Sequence, residues 1–383
     1  MEIPFFKLKF TLAEQKEVLD VLKSGWVTTG PRAQKFEEKI RAISGARYAV
    51  AVSSATAGLH LALAAYQIGP NDEVITTPYT MAATVEAILY TGARPIFVDI
   101  DPETLNIDTR KIETKISRRT KAIMPVDIAG WPCDYDALKR ISRKYKIPLI
   151  QDAAHSLGAI YHGRPVGALS DMTIFSFYST KNITTGEGGM VVTDNKSLAD
   201  RIRHLSLHGM TSSGWKRYSG GGWRYDITDL GYKYNLSDLS AALGLGQLRR
   251  FKELQQKRAS LAMTYFEGLR DLLDHIEPPY FDNNATHAWH LFIIKLHLDK
   301  WKISRDRLIQ ELEKRDVGCG VHFIPITHFS YFRNRLKLRP AQFSESDRAF
   351  KRVISFPFYP DLKRREIDYI CHSLVQLSKK YGR

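Results

Sequence analysis

The sequence predicts an α/β protein: a mostly parallel central sheet flanked by helices, followed by a smaller α+β C-terminal domain. Three observations predict it. Between about residues 47 and 195, short apolar β-branched runs alternate with helix-patterned stretches. A strongly periodic stretch over 236–273 then leads onward. Beyond it, strand-like "WHLFIIKLHL" mixes with helical "SRDRLIQELEKR" and a final helix near 364–380. Strand–helix alternation implies right-handed crossovers and a sheet covered on both faces. Ligands of such sheets sit at the carboxyl ends of the strands. At 383 residues the chain is too long for one simple core. We place a large domain at 1–248 and a small one at 249–383.

The strand candidates run in order: "YAVAV" (48–52), "EVITT", "RPIFVDI", "KAIMPVDI", "IPLIQDA" and "MTIFSFY". The first is followed by "SSATAGLHLALAAY", a polar start leading into a helical pattern. "AATVEAILYTG" and "DYDALKRISRKYK" are further helices. Residues 200–235 break the alternation. Rich in Gly, Ser, Trp, Tyr, Lys and Arg, they read as one long loop, and its interleaved aromatics argue against simple disorder. The 236–273 stretch reads as helical, with Gly244 and Gly246 inside it. No internal repeat or low-complexity tract is visible.

Composition excludes several classes. No apolar run approaches the roughly 18 residues that span a membrane, and no secretory signal is expected at the N-terminus. Cys133, Cys319 and Cys371 are few, odd in number and far apart, so neither a disulfide framework nor a zinc site is expected. That usage fits a reducing cytoplasm. Lysine plus arginine exceed aspartate plus glutamate by 56 to 41, a formal +15. The excess reads either as attraction to an anionic partner or as a solvated basic surface. A nucleic-acid regulator would rest on that charge alone, because no helix-turn-helix is evident. No nucleic-acid partner is expected.

Chemistry-bearing residues recur where strands end. "SSATA" (53–57) would cradle a phosphate at a helix N-terminus, or serve as a plain N-cap. Asp152 ends an apolar strand, where a carboxylate holds a cationic ring nitrogen or caps a turn. Lys181 follows the next strand and is either an exposed loop lysine or a nucleophile with a lowered pKa. Gly186, Gly188 and Gly189 let the backbone turn beneath it. Each feature has a bland reading, but together they meet the needs of pyridoxal 5′-phosphate: a lysine for the aldehyde and an acid for the pyridinium. No GxGxxG follows the first strand and no GxxxxGK[ST] occurs, so dinucleotide and P-loop readings lack their fingerprints.

The motifs "SGWVTTGP" (24–31), "AVSSATAGLHLAL" (51–63), "NDEVITTPYT" (71–80), "GARPIFVDID" (92–101), "QDAAHSLGA" (151–159), "FSFYSTKNITTGEGG" (175–189), "GYKYNLSDLSAALGL" (231–245), "HAWHLFII" (287–294), "GVHFIP" (320–325) and "SFPFYPDL" (355–362) run nearly end to end. With them the chain resembles the DegT/DnrJ/StrS sugar aminotransferases, fold-type I enzymes that use pyridoxal phosphate. It looks most like the branch that makes UDP-4-amino-4-deoxy-L-arabinose.

The resemblance implies the following roles. Lys181 is the Schiff-base lysine and Asp152 the acid at the pyridine nitrogen. His155 lies beside the ring oxygen, and Ala55, Thr56 and Ser176 hold the phosphate. Met81 stands where relatives place an aromatic that stacks on the ring, with Tyr79 close by. Asn235 or Lys233 reaches the phosphate of a partner subunit in a homodimer. Thr29, His322, Phe323 and His328 approach the sugar. Lys216 and Arg224 in the 210–225 loop, with Trp215, Arg217 and Trp223, meet phosphates and base. The implied reaction moves an amino group from L-glutamate to a keto-sugar nucleotide and releases 2-oxoglutarate. The presence of Lys181 argues against the related dehydratases, which carry histidine there.

Overall fold

The structure, a computed structural model, describes residues 2–383 apart from 213, 214, 216 and 222. Seven strands form the main sheet: β1 (Tyr48–Val52), β2 (Glu73–Thr76), β3 (Arg94–Phe97), β4 (Thr120–Ile123), β5 (Ile150–Asp152), β6 (Met172–Ser176) and β7 (Gly189–Thr193). Pairing gives the order β3-β2-β4 and β1-β7-β6-β5. Parallel bridges Ile123–Leu149 and Val126–Asp152 join the two halves between β4 and β5. Only β7 runs antiparallel to its neighbours. The mostly parallel sheet expected from the alternation is therefore present.

Side-chain alternation along the strands builds a core on each face. Val50, Val52, Ile174 and Val191 point to one side, where α3 (Ala55–Ala65), α4 (Ala82–Tyr90) and α6 (Lys196–Leu205) cover them. Ala49, Ala51, Phe175, Met190 and Val192 point to the other, under α2 (Pro31–Ser44), α5 (Tyr135–Tyr145) and α7 (Asp238–Leu248). Period-two alternation with apolar residues on both faces is what a sheet buried on both sides requires.

The periodic 236–273 stretch is not one helix. Arg250 leaves helical geometry (φ −106°, ψ 7°) and separates α7 from α8 (Phe251–Gly268). Helical periodicity continues across the break, so sequence pattern alone does not reveal it. Leu254 of α8 packs in the sheet core, whereas Leu261, Ala262 and Tyr265 pack in a second core. That second core surrounds an antiparallel sheet of Ile276–Glu277, β8 (Phe292–Leu296) and β9 (Val353–Phe356). The helices α9 (Arg305–Glu313), α10 (Ser344–Arg352) and α11 (Arg364–Tyr381) belong to the same lobe. The N-terminus joins it as well. Ile3 forms a parallel bridge with Val317 and sits in the second core.

The region read as one long loop from residue 200 starts inside α6, whose polar residues face outward. Beyond α6 the chain runs out and back, with bridges Leu207–Lys233 and Met210–Ile227.

Candidate functional site

The carboxyl ends of β1, β5 and β6 converge below the second lobe on a cavity of about 420 Å³. Ser54, at the end of β1, caps α3 by accepting from the Ala57 amide at 3.0 Å. A helix's first amides have no intrahelical acceptor, so those of Ala55 and Thr56 are free to face an anion. Gly189 makes this approach achievable. A Cβ there would meet Ser54 and Ala55 backbone atoms at 2.5–2.7 Å. Ser176, at the end of β6, lines the same cavity.

Asp152 is buried at the end of β5. Its Oδ2 accepts from Thr84 Oγ1 at 2.8 Å and its Oδ1 from the Ala154 amide at 3.2 Å. Burial pushes its carboxyl above the usual range. Thr84 and the Lys181 charge oppose the shift, and the nearby Asp127 adds to it. Lys181 follows a turn closed by its amide on the Tyr178 carbonyl at 2.9 Å. Burial lowers its amine to about 8, against the attraction of Asp152. Both members of the pair thus move toward their neutral forms, because desolvation outweighs their mutual attraction.

His155 is buried, and its Nδ1 has no hydrogen-bond partner. Its ring lies between Phe323 (centroids 5.6 Å apart, planes 17°) and His290 (4.3 Å, 42°). Burial and the Lys181 charge push its pKa well down. His322 also lines the cavity, with Nδ1 2.9 Å from Ser355 Oγ, and is lowered to about 4 by burial and then by Lys181.

This donor set fits pyridoxal phosphate. The α3 N-terminus offers free amides to a phosphate, and the buried Asp152 carboxylate, drawn on only by the Lys181 charge and in no ion pair among the described residues, suits a pyridinium. An unsatisfied imidazole and an amine lowered by burial to about 8 complete it.

The cavity gathers Ala55, Thr56, Met81, Asp152, His155, Ser176, Lys181, His322 and Phe323 from the expected residues. Met81 is 59% exposed there. Tyr79 is not in the wall: it is fully buried, and its hydroxyl donates to the His322 carbonyl at 2.6 Å. His328 is not brought to the cavity either. Its Nε2 pairs with Asp347 Oδ1 at 2.9 Å, and its ring packs on Phe350.

Thr29, Asn235 and Lys233 cluster outside this cavity. Lys233 Nζ donates to Asn235 Oδ1, and Asn235 Nδ2 donates to Thr29 Oγ1 at 2.6 Å. The two alternatives at this position therefore act as one hydrogen-bonded unit. Arg224 is exposed in the long loop over the Trp223 ring, away from the cavity wall. Lys216 lies outside the described residues. Trp215 packs edge-on against Trp26 at 4.8 Å, and Arg217 donates to the Ser212 carbonyl.

Sequence reasoning did not single out several wall residues, Phe5, Phe6 and His290 among them. Phe5 and Phe6 reach the cavity because the N-terminus pairs with the far lobe. His290 arrives through the second lobe. Its motif "HAWHLFII" marked the segment, but nothing in it singled out this histidine.

The profile of the DegT/DnrJ/EryC1/StrS aminotransferase family matches residues 10–375. The chain belongs to this family. The spore coat polysaccharide biosynthesis protein SpsC of Bacillus subtilis (strain 168) is 42% identical, over 96% of this chain and 94% of its own. The putative sugar aminotransferase Spr1654 from Streptococcus pneumoniae, in its PLP form, superposes with a TM-score of 0.93. It is 33% identical, and the match covers 99% of each chain. DesI, solved in the presence of its TDP-sugar product, gives 0.88 at 30% identity, covering 99% of this chain and 93% of that one. This DegT-family protein is therefore a pyridoxal-phosphate-dependent sugar aminotransferase with the matching fold. No helix among the described residues is long and apolar enough to cross a membrane.

Proposed function

We propose that the enzyme takes its amino group from L-glutamate, releases 2-oxoglutarate, and aminates a nucleotide-linked keto sugar, a UDP-4-keto sugar in particular. The reading places it in the cytoplasm, making an amino sugar for a surface glycan or lipid A. One observation carries it: a buried amine and a buried carboxylate share a cavity roomy enough for a cofactor and a sugar. SpsC supports polysaccharide chemistry, and the TDP-sugar of DesI supports a nucleotide carrier.

When bound, pyridoxal phosphate accepts the amino group and the electron pair left by the departing α-proton. Asp152 would accept a hydrogen bond from the protonated ring nitrogen and keep it charged. The amides of Ala55 and Thr56, with Ser176, hold the phosphate. The Lys181 amine would join the aldehyde and, when free, would move the proton between the donor's α-carbon and the cofactor's C4′. Phe5 and Phe323 line the cavity and would shield the bound cofactor from water. A homodimer would bring the Thr29–Asn235–Lys233 unit to the partner's phosphate. The exposed Trp223, Tyr225, Ile227 and Leu230 support such a contact.

Glutamate should bleach the visible band of the loaded enzyme with release of 2-oxoglutarate, and a UDP-4-keto sugar should restore it. A band indifferent to glutamate, or unrestored by any nucleotide-linked keto sugar, would refute the reading. Cofactor uptake by the apoprotein should also follow Lys181. Only the neutral amine attacks, so the uptake rate should rise with pH to about 8 and then level off. A lysine near the ordinary value of about 10.4 would keep accelerating past pH 9. Stopped-flow absorbance separates the two profiles.

A further inference from the structure

His290 is 4% exposed and lines the cavity from the second lobe, yet the roles described above do not use it. Its backbone is fixed on both sides. The amide donates to the Ala129 carbonyl at 3.0 Å, and the carbonyl accepts from the buried Arg258. A Cβ on Gly130 would stand 3.1 Å from the His290 nitrogen and 2.9 Å from the His155 carbonyl, so both histidines rest on one left-handed glycine corner.

The ring chemistry is defined by what is missing. His290 Nδ1 is buried without a partner, as is His155 Nδ1. Protonating that nitrogen would bury an unsatisfied N–H, whereas leaving it as a bare lone pair is less costly. The proton therefore belongs on Nε2, the nitrogen left to meet a ligand. Burial keeps the ring neutral, reinforced by the positive or basic groups that bear on it: His155, Lys181, Arg258 and His322.

The wall that one subunit builds around it is short of cations. Among the described residues no arginine lines the cavity, and Lys181 is its only lysine. Yet the site must take an amino acid in one half-reaction and a sugar in the other. A buried guanidinium would grip a carboxylate but be left uncompensated before a neutral sugar, a costly arrangement. A neutral N–H donor meets a carboxylate oxygen and a sugar oxygen without that penalty.

We propose that His290 is a substrate-binding residue shared by both half-reactions. Its Nε2–H donates to a carboxylate oxygen of the amino donor and then to an oxygen of the keto sugar. The inference rests on glutamate being the donor.

Two variants test it. His290→Phe keeps a flat ring against His155 but removes the N–H, while His290→Gln keeps an N–H donor without the ring. His290→Phe should raise KM for both glutamate and the keto sugar, and the calorimetric Kd of 2-oxoglutarate, by roughly 10- to 100-fold. Its cofactor spectrum and melting temperature should match the native enzyme. His290→Gln should stay within about tenfold of native for both substrates. Native KM values for either substrate in His290→Phe would overturn the shared role, as would a loss in His290→Gln as deep as in His290→Phe. Should His290→Phe fail to fold, His290→Gln decides alone, and a loss beyond tenfold for either substrate overturns the proposal. A native enzyme unresponsive to glutamate instead sinks the donor assignment, which is a separate failure.

Discussion

Lys181→Ala is expected to abolish amino transfer while leaving a folded protein that still binds pyridoxal phosphate. Two losses combine. The variant has no amine to join the cofactor's aldehyde, and no base beside the donor's α-carbon. General acid–base groups contribute about 10²–10⁴-fold on their own. Removing the nucleophile as well should bring the glutamate half-reaction down by at least about 10⁴. Cofactor binding should persist, because the α3 amides, Ser176 and Asp152 remain in place. The readout is a single turnover. Bound cofactor in the variant should show no bleaching by glutamate over hours, under conditions where the native enzyme bleaches within seconds. Transfer at the native rate in Lys181→Ala would remove the lysine from the chemistry altogether.

How much of this site was legible depended on how far apart its parts lie in sequence. Lys181, Asp152 and the Ser54–Thr56 turn each follow an apolar run. A parallel sheet brings the ends of its strands to one edge, so alternation alone was enough to place them together. Gly189 could be read as a turn, but its purpose is tertiary: it makes room for the first turn of α3. The second lobe resisted reading for the same reason. His322 and His328 are six residues apart in one motif-bearing segment. One lines the cavity, while the other turns to Asp347 on α10, a partner no local pattern names. Phe5 reaches the wall through a bridge between Ile3 and Val317. His290 stands out only once its nitrogen is seen to lack a partner. The break at Arg250 was hidden because helical periodicity runs through it.

Asp152→Asn is the complementary test, because it keeps the volume and removes the charge. The native carboxylate uses one oxygen for Thr84 and the other for the Ala154 amide, so it is held rigidly before any ligand arrives. Its own charge is poorly compensated. Burial and Asp127 both disfavour it, and Lys181 alone among its charged neighbours draws it back. A protonated ring nitrogen would supply the missing positive charge, so cofactor and carboxylate stabilise each other. An asparagine offers no such charge and turns a donor toward one of its two existing partners. The proton on the ring nitrogen then loses its anchor just where the electron pair from the α-carbon must be received. Removing one preorganised electrostatic contact of this kind typically costs about 10²–10³ in kcat. Asp152→Asn should fall by that amount in both half-reactions, with KM for glutamate changed much less. The visible band should separate this electrostatic role from a structural one. It should shift with pH in the variant as the ring nitrogen deprotonates, and hold steady over the same range in the native enzyme. A variant with lowered kcat but a pH-independent band would mean that Asp152 only positions the turn carrying His155.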